Sequence, residues 1–161
     1  MIYTSKQIAD WFLGQADPEA GDSISPLKLQ KLVYYAQAWH YTLFNKPLFN
    51  EDIEAWRHGP AIRSLYHRFE KYTRIDSIDI SNEQLEQISF EEDTLDLLIE
   101  VKELYGEHSG SYLEKLTHSE EPWRIARGST SIHDRCTTVI SLQSMKNFYT
   151  KLLDERSKTQ G

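Results

Sequence analysis

The chain has a single cysteine in 161 residues, so no internal disulfide holds it together, which fits a reducing compartment. Cys136 sits in no motif of an activated thiol and reads as a structural side chain. No apolar run approaches the ~18 residues needed to span a bilayer, and Met1-Ile2-Tyr3-Thr4-Ser5-Lys6 lacks the charged-then-apolar layout of a secretion signal. A cytoplasmic location is expected, with no membrane partner. The six histidines, His40, His58, His67, His108, His118 and His133, fall in no HExxH or Cys/His spacing, so no metal is expected. Gly-rich phosphate loops, Walker sequences and nucleophile elbows are missing, and no motif picks out a catalytic pair of carboxylates. The reading is therefore of a protein without a cofactor and without catalysis, an enzyme assembled only by tertiary proximity being the lesser alternative.

What is present is an aromatic-rich and unevenly charged sequence. Nine Tyr, six Phe and four Trp make 12% of the residues, which argues for a packed core and against disorder. A length of 161 residues suits one domain that buries roughly two thirds of its unfolded surface. The formal charge of −7 hides an asymmetry: residues 1–75 net +1, residues 76–121 net −12 and residues 122–161 net +4. The acidic middle disfavours nucleic acid there and points to a basic protein surface that it steers, against the simpler reading of a solvated helical face.

The periodicities predict helices almost throughout. A short first helix starts near Thr4 or Ser5 and ends by Gly14, followed by a loop to Ile24. Ser25 as N-cap and Pro26 at the first helical position open a long second helix, with Leu29, Leu32, Val33, Ala36, Trp39 and Leu43 on its core side. Asn45-Lys46-Pro47 ends it, and Leu48 to Trp56 reads as extended. Gly59-Pro60 is expected to open a third helix that buries Ile62, Leu65, Tyr66, Phe69 and Tyr72 and sets Arg63, His67, Lys71 and Arg74 on another face. Ser81-Asn82-Glu83-Gln84 and Ser89-Phe90-Glu91-Glu92 both match a capping box and predict a short helix followed by a long one. The long one carries Leu95, Leu98, Ile99 and Tyr105 and stops at Gly106 as a left-handed cap. Helices over Ser111 to Thr117 and from Glu121-Pro122-Trp123 to before Gly128 come next, then a polar loop, a short strand at Val139-Ile140 and a last helix capped by Ser141. Residues 154–161 are expected to fray.

Two clusters draw attention. His58, between Arg57 and Gly59 with Trp56 before it and Arg63 after it, reads either as part of a small polar pocket at a helix N-terminus or as a sharp turn with Trp56 packed beneath. His118 with Glu120, Glu121 and Trp123 reads as an interface cluster or as a capped turn anchored by its Trp. The basic residues of the third helix lack any helix-turn-helix, zinc-finger or RNA-binding signature, so nucleic acid is an unlikely partner and an internal link to the acidic segment explains them more simply.

The blocks Ser25-Pro26-Leu27-Lys28-Leu29-Gln30-Lys31-Leu32, Tyr34-Tyr35-Ala36-Gln37, Trp39-His40 and Glu54-Ala55-Trp56-Arg57-His58-Gly59-Pro60 with Leu65-Tyr66 resemble the Panacea antitoxin domain, a family that includes SocA-like antitoxins and phage-associated GepA-like proteins. Tyr105-Gly106, Leu113, Leu116-Thr117-His118, Pro122-Trp123, Ala126-Arg127, Ile140 and Phe148-Tyr149 extend the similarity from about residue 4 to residue 153. The resemblance implies a mainly α, compact single-domain helical bundle over residues 1–153, with at most a minor short β element. It implies an antitoxin of a toxin–antitoxin pair that neutralises a cognate protein toxin, encoded by the adjacent gene, through direct contact. Members of the family pair with unrelated toxins, and at least one delivers its toxin to a ClpXP-type protease, which is the alternative role; a nucleic-acid-binding or enzymatic module is the more distant one. No separate helix-turn-helix domain fits before Ser25 or after Leu153, so transcriptional autoregulation is not expected. Because buried aromatic and arginine anchors dominate protein interfaces, Trp56, Arg57, His58, Tyr66, His67 and Trp123 are the candidate partner-binding residues.

Overall fold

The computed structural model describes residues 2–160. In chain order it contains α1 (Ser5–Gln15), α2 (Pro26–Phe44), the strands β1 (Glu54–Trp56) and β2 (Gly59–Ala61), α3 (Arg63–Arg68), α4 (Glu92–Tyr105), α5 (Gly110–His118), α6 (Glu121–Arg127) and α7 (Leu142–Gln160). The architecture is mainly α with one small antiparallel hairpin, in which Trp56 pairs with Gly59. No helix among the described residues is long and apolar enough to cross a membrane. α2 lies in the middle and packs directly on α1, α4, α5, α7 and β2, while α6 ties α5 and α7 to β1.

The start of α2 follows from its sequence. Ser25 Oγ accepts the N–H of Lys28 at 3.1 Å, Pro26 occupies the first turn, and Asn45 closes the helix in a left-handed conformation with φ 55°. Likewise, Thr4 and Gln7 form a capping box on α1. Unlike an amphipathic surface helix, α2 is buried on every side from Leu29 to His40. Its polar residues therefore need partners inside the protein.

They find them in the irregular segments. Gln37 donates Nε2 to the Phe49 carbonyl and accepts the Leu48 N–H on Oε1, both at 2.7 Å. Two turns earlier on the same face, Gln30 donates to the Ile62 carbonyl at 3.0 Å and accepts the Ile62 N–H at 2.8 Å. Each glutamine thus gives the backbone what a neighbouring strand would give. His40 Nδ1 lies 2.7 Å from the Lys46 carbonyl. Around the same helix, the rings of Tyr35 and Tyr105 stack at 3.9 Å and the Trp39 indole donates to the Tyr105 hydroxyl at 2.9 Å. The buried Glu120 carboxylate accepts the hydroxyls of Tyr35 and Tyr149 at 2.8 and 2.9 Å, and Tyr34 lies 3.0 Å from the Tyr149 hydroxyl.

Several expectations are corrected by these tertiary ties. Gly59-Pro60 forms β2 and not a helix start; α3 begins only after Ile62, whose N–H and carbonyl are both held by Gln30. With only six residues in α3, Lys71 and Arg74 lie beyond it, and no single basic helix face exists. Tyr66 is 49% exposed instead of buried, and Leu43, Ile99 and part of the last turn of α2 also face outward. Of the basic series, Lys71 reaches Glu83 at 3.7 Å and its neighbour Arg68 reaches the same carboxylate at 3.3 Å, which is the internal link expected to the acidic segment.

Neither serine box in that segment caps a helix. Ser81 donates its hydroxyl to Asp79 at 2.6 Å, and Asp79 caps a single 3-10 turn, Ile80–Asn82. From there the chain runs extended over α1, held by Glu86 N–H to the buried Asp10 carboxylate at 2.9 Å and by Glu91 N–H to the Tyr3 hydroxyl at 2.9 Å. Phe90 packs on Tyr3 with ring centres 5.0 Å apart, which keeps Ser89 out of a cap, and Glu91 takes that position. Gly106 does end α4 but is right-handed, φ −66°; its carbonyl accepts the Lys28 ammonium at 2.5 Å, and a Cβ there would lie 2.3 Å from the Lys102 carbonyl. The strand expected at Val139-Ile140 is reduced to one bridge between Val139 and Glu54. The tail expected to fray lies in the last turns of α7, which runs to Gln160; Gly161 lies outside the described residues.

Two predictions follow from the polar interior. Gln37→Ala strands a buried N–H and a buried carbonyl, so urea unfolding should show a loss of about 2–4 kcal/mol; a loss below about 0.5 kcal/mol would mean that water replaces both bonds. Burial pushes the Glu120 carboxyl up from its ordinary 4.5 to about 7. Between those values the folded state holds the proton more tightly than the unfolded chain, so stability falls as pH rises from about 4.5 to about 7. Glu120→Gln should abolish that slope, worth about 3 kcal/mol across the window; parallel pH profiles for the two proteins would refute the assignment.

Candidate functional site

The hairpin, α3 and the loop at residues 133–137 enclose a groove of about 660 Å³ on one side of α2. Its position is set from within. Gln30 fixes Ile62 as described, and the Lys31 side chain, 2% exposed, rises from α2 to donate its ammonium to the Pro60 carbonyl at 3.1 Å. Burial pulls the Lys31 pKa down to about 7, against the opposing charge of Glu114. Gly59 has φ +105°, and a Cβ there would come within 2.6 Å of Lys31 Cε and 2.9 Å of Thr117 Oγ1. Both the turn and the close approach of the strand to Lys31 require glycine. Arg127, itself buried, fixes the other side by donating to the carbonyls of Ala55, Ser131 and Asp134 at 3.0, 2.6 and 2.8 Å.

Trp56, Arg57, His58, Tyr66 and His67 all line this groove. Arg57 and His58 form the two-residue turn of the hairpin, so the sharp-turn reading describes the backbone. Trp56 and Tyr66 meet edge to face with ring centres 5.2 Å apart. The Trp56 indole donates to Glu54 at 2.9 Å, and Arg63 reaches the same carboxylate at 2.7 Å. His58 Nδ1 lies 2.9 Å from Glu114, and His67 lies 3.4 Å from Glu70. Trp123 stands apart. It is buried behind the hairpin, stacked on His118 with ring centres 4.1 Å apart, and donates its indole N–H to the Trp56 carbonyl at 2.8 Å. Its geometry is that of the anchored turn: it supports the groove from behind.

Sequence reasoning did not single out Arg135, in the loop that closes the groove, or Lys31 beneath it. For Lys31 a signal existed, a lysine inside a helix without a polar face. For Arg135 there was none, because its loop is placed beside the hairpin by the Arg127 bonds and by Ala55 N–H to the Thr138 carbonyl, ties that no local pattern shows. Among the described residues no ion pair engages the guanidinium groups of Arg57, Arg74 or Arg135, whereas Arg63, His58 and His67 each face a carboxylate. The groove thus combines carboxylate-paired side chains with three exposed arginines over an apolar floor.

The model of the family described as Antitoxin SocA-like, Panacea domain, matches residues 29–124. The chain belongs to that family. No curated protein and no solved structure matches it. The matched part of this Panacea domain runs from the first turn of α2 into α6 and contains the hairpin and α3, while the groove-closing loop lies beyond it. Gly59→Ala should lower stability by more than about 2 kcal/mol through left-handed strain and the clash with Lys31. Thermal unfolding of the variant indistinguishable from wild type would rule out the packing described.

Proposed function

We propose that this Panacea-domain protein is the antitoxin of a toxin–antitoxin pair and silences a protein toxin by binding it, without chemistry of its own, through the groove face. Family membership supports the antitoxin role. The observation that carries the binding face is the convergence of Trp56, Arg57, His58, Tyr66 and His67, distributed over a hairpin and a helix, on one groove. Tyr66 is half exposed yet held edge-on by Trp56, the rigid aromatic presentation from which interface hot spots are built.

The test is co-expression with the product of the adjacent gene. Growth should be rescued, the two proteins should co-purify, and the toxin should remain abundant but silent. Tyr66→Ala should weaken the complex about tenfold or more while leaving the melting temperature near wild type. A neighbour that is harmless when expressed alone removes the antitoxin reading, and a toxin whose level falls only when ClpXP is present assigns the chain to delivery instead of masking.

A further inference from the structure

The charge around the groove is opposite in sign to that of the molecule. The chain carries −7 overall, yet Arg57, Arg74 and Arg135 stand exposed around this one depression with no ion pair among the described residues. The carboxylates that line it are Glu70, already facing His67 at 3.4 Å, and Asp134. The floor beneath is apolar, built from Leu27, Leu29, Ala61, Leu65 and Phe69. The acidic helix α4 contributes nothing to it, so the carboxylates of that helix do not screen the rim.

We infer that the groove takes a segment of the partner protein in which one or two large apolar side chains are flanked by Asp or Glu. This rests on the reading of the chain as a protein-binding antitoxin. A cavity of about 660 Å³ has the size of sites that hold a few side chains or one small molecule. Apolar side chains fill the floor, and flanking carboxylates meet arginines suited to bidentate pairing. A nucleic-acid strand fits less well. The polar groups near the floor are already committed, Gln30 to Ile62 and Lys31 to Pro60, so the floor offers no free group to a base edge, and three arginines around a pit do not make the continuous cationic track that follows a phosphate backbone. A second copy offers the acidic α4, with Ile99 and Leu104 exposed, and self-association through it is the competing outcome that the experiment separates.

The experiment selects displayed random peptides on the full-length protein, then titrates an enriched peptide by fluorescence anisotropy. The enriched sequences should place Asp or Glu beside Leu, Ile, Phe or Trp. Binding should weaken with salt and fall about tenfold or more in the R57E/R74E/R135E variant. Should that variant unfold, R57Q/R74Q/R135Q serves the same comparison, with melting curves as the control. Neutral or basic enriched peptides, no enrichment, affinity unchanged by the substitutions, tighter binding of a single-stranded oligonucleotide, or a self-associated wild type that dissociates on charge reversal would each overturn the inference. No toxin enters the selection, so its outcome is separate from growth rescue. A charge-reversed variant that still rescues growth would sink the groove chemistry and leave the antitoxin reading standing.

Discussion

A helix buried on all sides while carrying Gln30, Lys31 and Gln37 is the constraint on which the remaining structure depends. A bare apolar helix in that place would pack its neighbours but leave the backbone of residues 48–62 without partners, and buried backbone groups left unpaired cost on the order of 1–3 kcal/mol each. Here the two glutamines, seven residues apart, bind Leu48, Phe49 and Ile62 as an adjacent strand would. Lys31 adds the contact that lifts Pro60 and with it the hairpin. A segment with little regular structure of its own is thereby held against the bundle, and the groove exists because it is held there.

The same interior sets the electrostatics. Glu120 is removed from solvent into a group of tyrosines, Glu83 is taken up by Arg68 and Lys71, and Glu114 faces His58. Three carboxylates of residues 76–121 are thus engaged internally, and the largest exposed group of the remainder lies along α4. Net charge taken from the sequence suggested a basic partner surface. Folding separates the signs, and the depression proposed to receive a partner presents arginines, so the long-range field and the local contact chemistry need not select the same feature of that partner.

How far the sequence could be read depended on whether structure was decided locally. The N-caps at Thr4, Ser25 and Ser141 and the Pro-opened α6 were legible because each uses side chains within one turn; α4 does stop at Gly106, but in a right-handed conformation. The serine boxes at Ser81 and Ser89 carry the same local signature and fail, since Asp79 takes the Ser81 hydroxyl and the chain is tied at a distance to Asp10 and Tyr3. Helical periodicity through residues 59–72 was misleading for a related reason: Gln30 captures Ile62 and leaves room for only six helical residues. Tyr66 then turns outward. Its exposure is invisible to a pattern that assumes the helix starts at Gly59, although the aromatic and cationic composition around it drew attention to the hairpin that borders the groove.

The placement of the family-like blocks divides scaffold from contact surface. Tyr34, Tyr35 and Gln37 are buried away from the groove, and Gln30 and Lys31 line it with their polar ends committed to Ile62 and Pro60; the effect of these residues on binding passes through the position of the hairpin and α3. Groups that can meet a partner, Arg57, Tyr66, His67, Arg74 and Arg135, sit at exposed positions where substitution disturbs little packing. A protein built this way can change what it binds without changing how it folds. Specificity is a difference of affinities, and in this Panacea domain such differences are most readily generated at a rim whose side chains make few structural contacts, above a floor whose shape is fixed by α2.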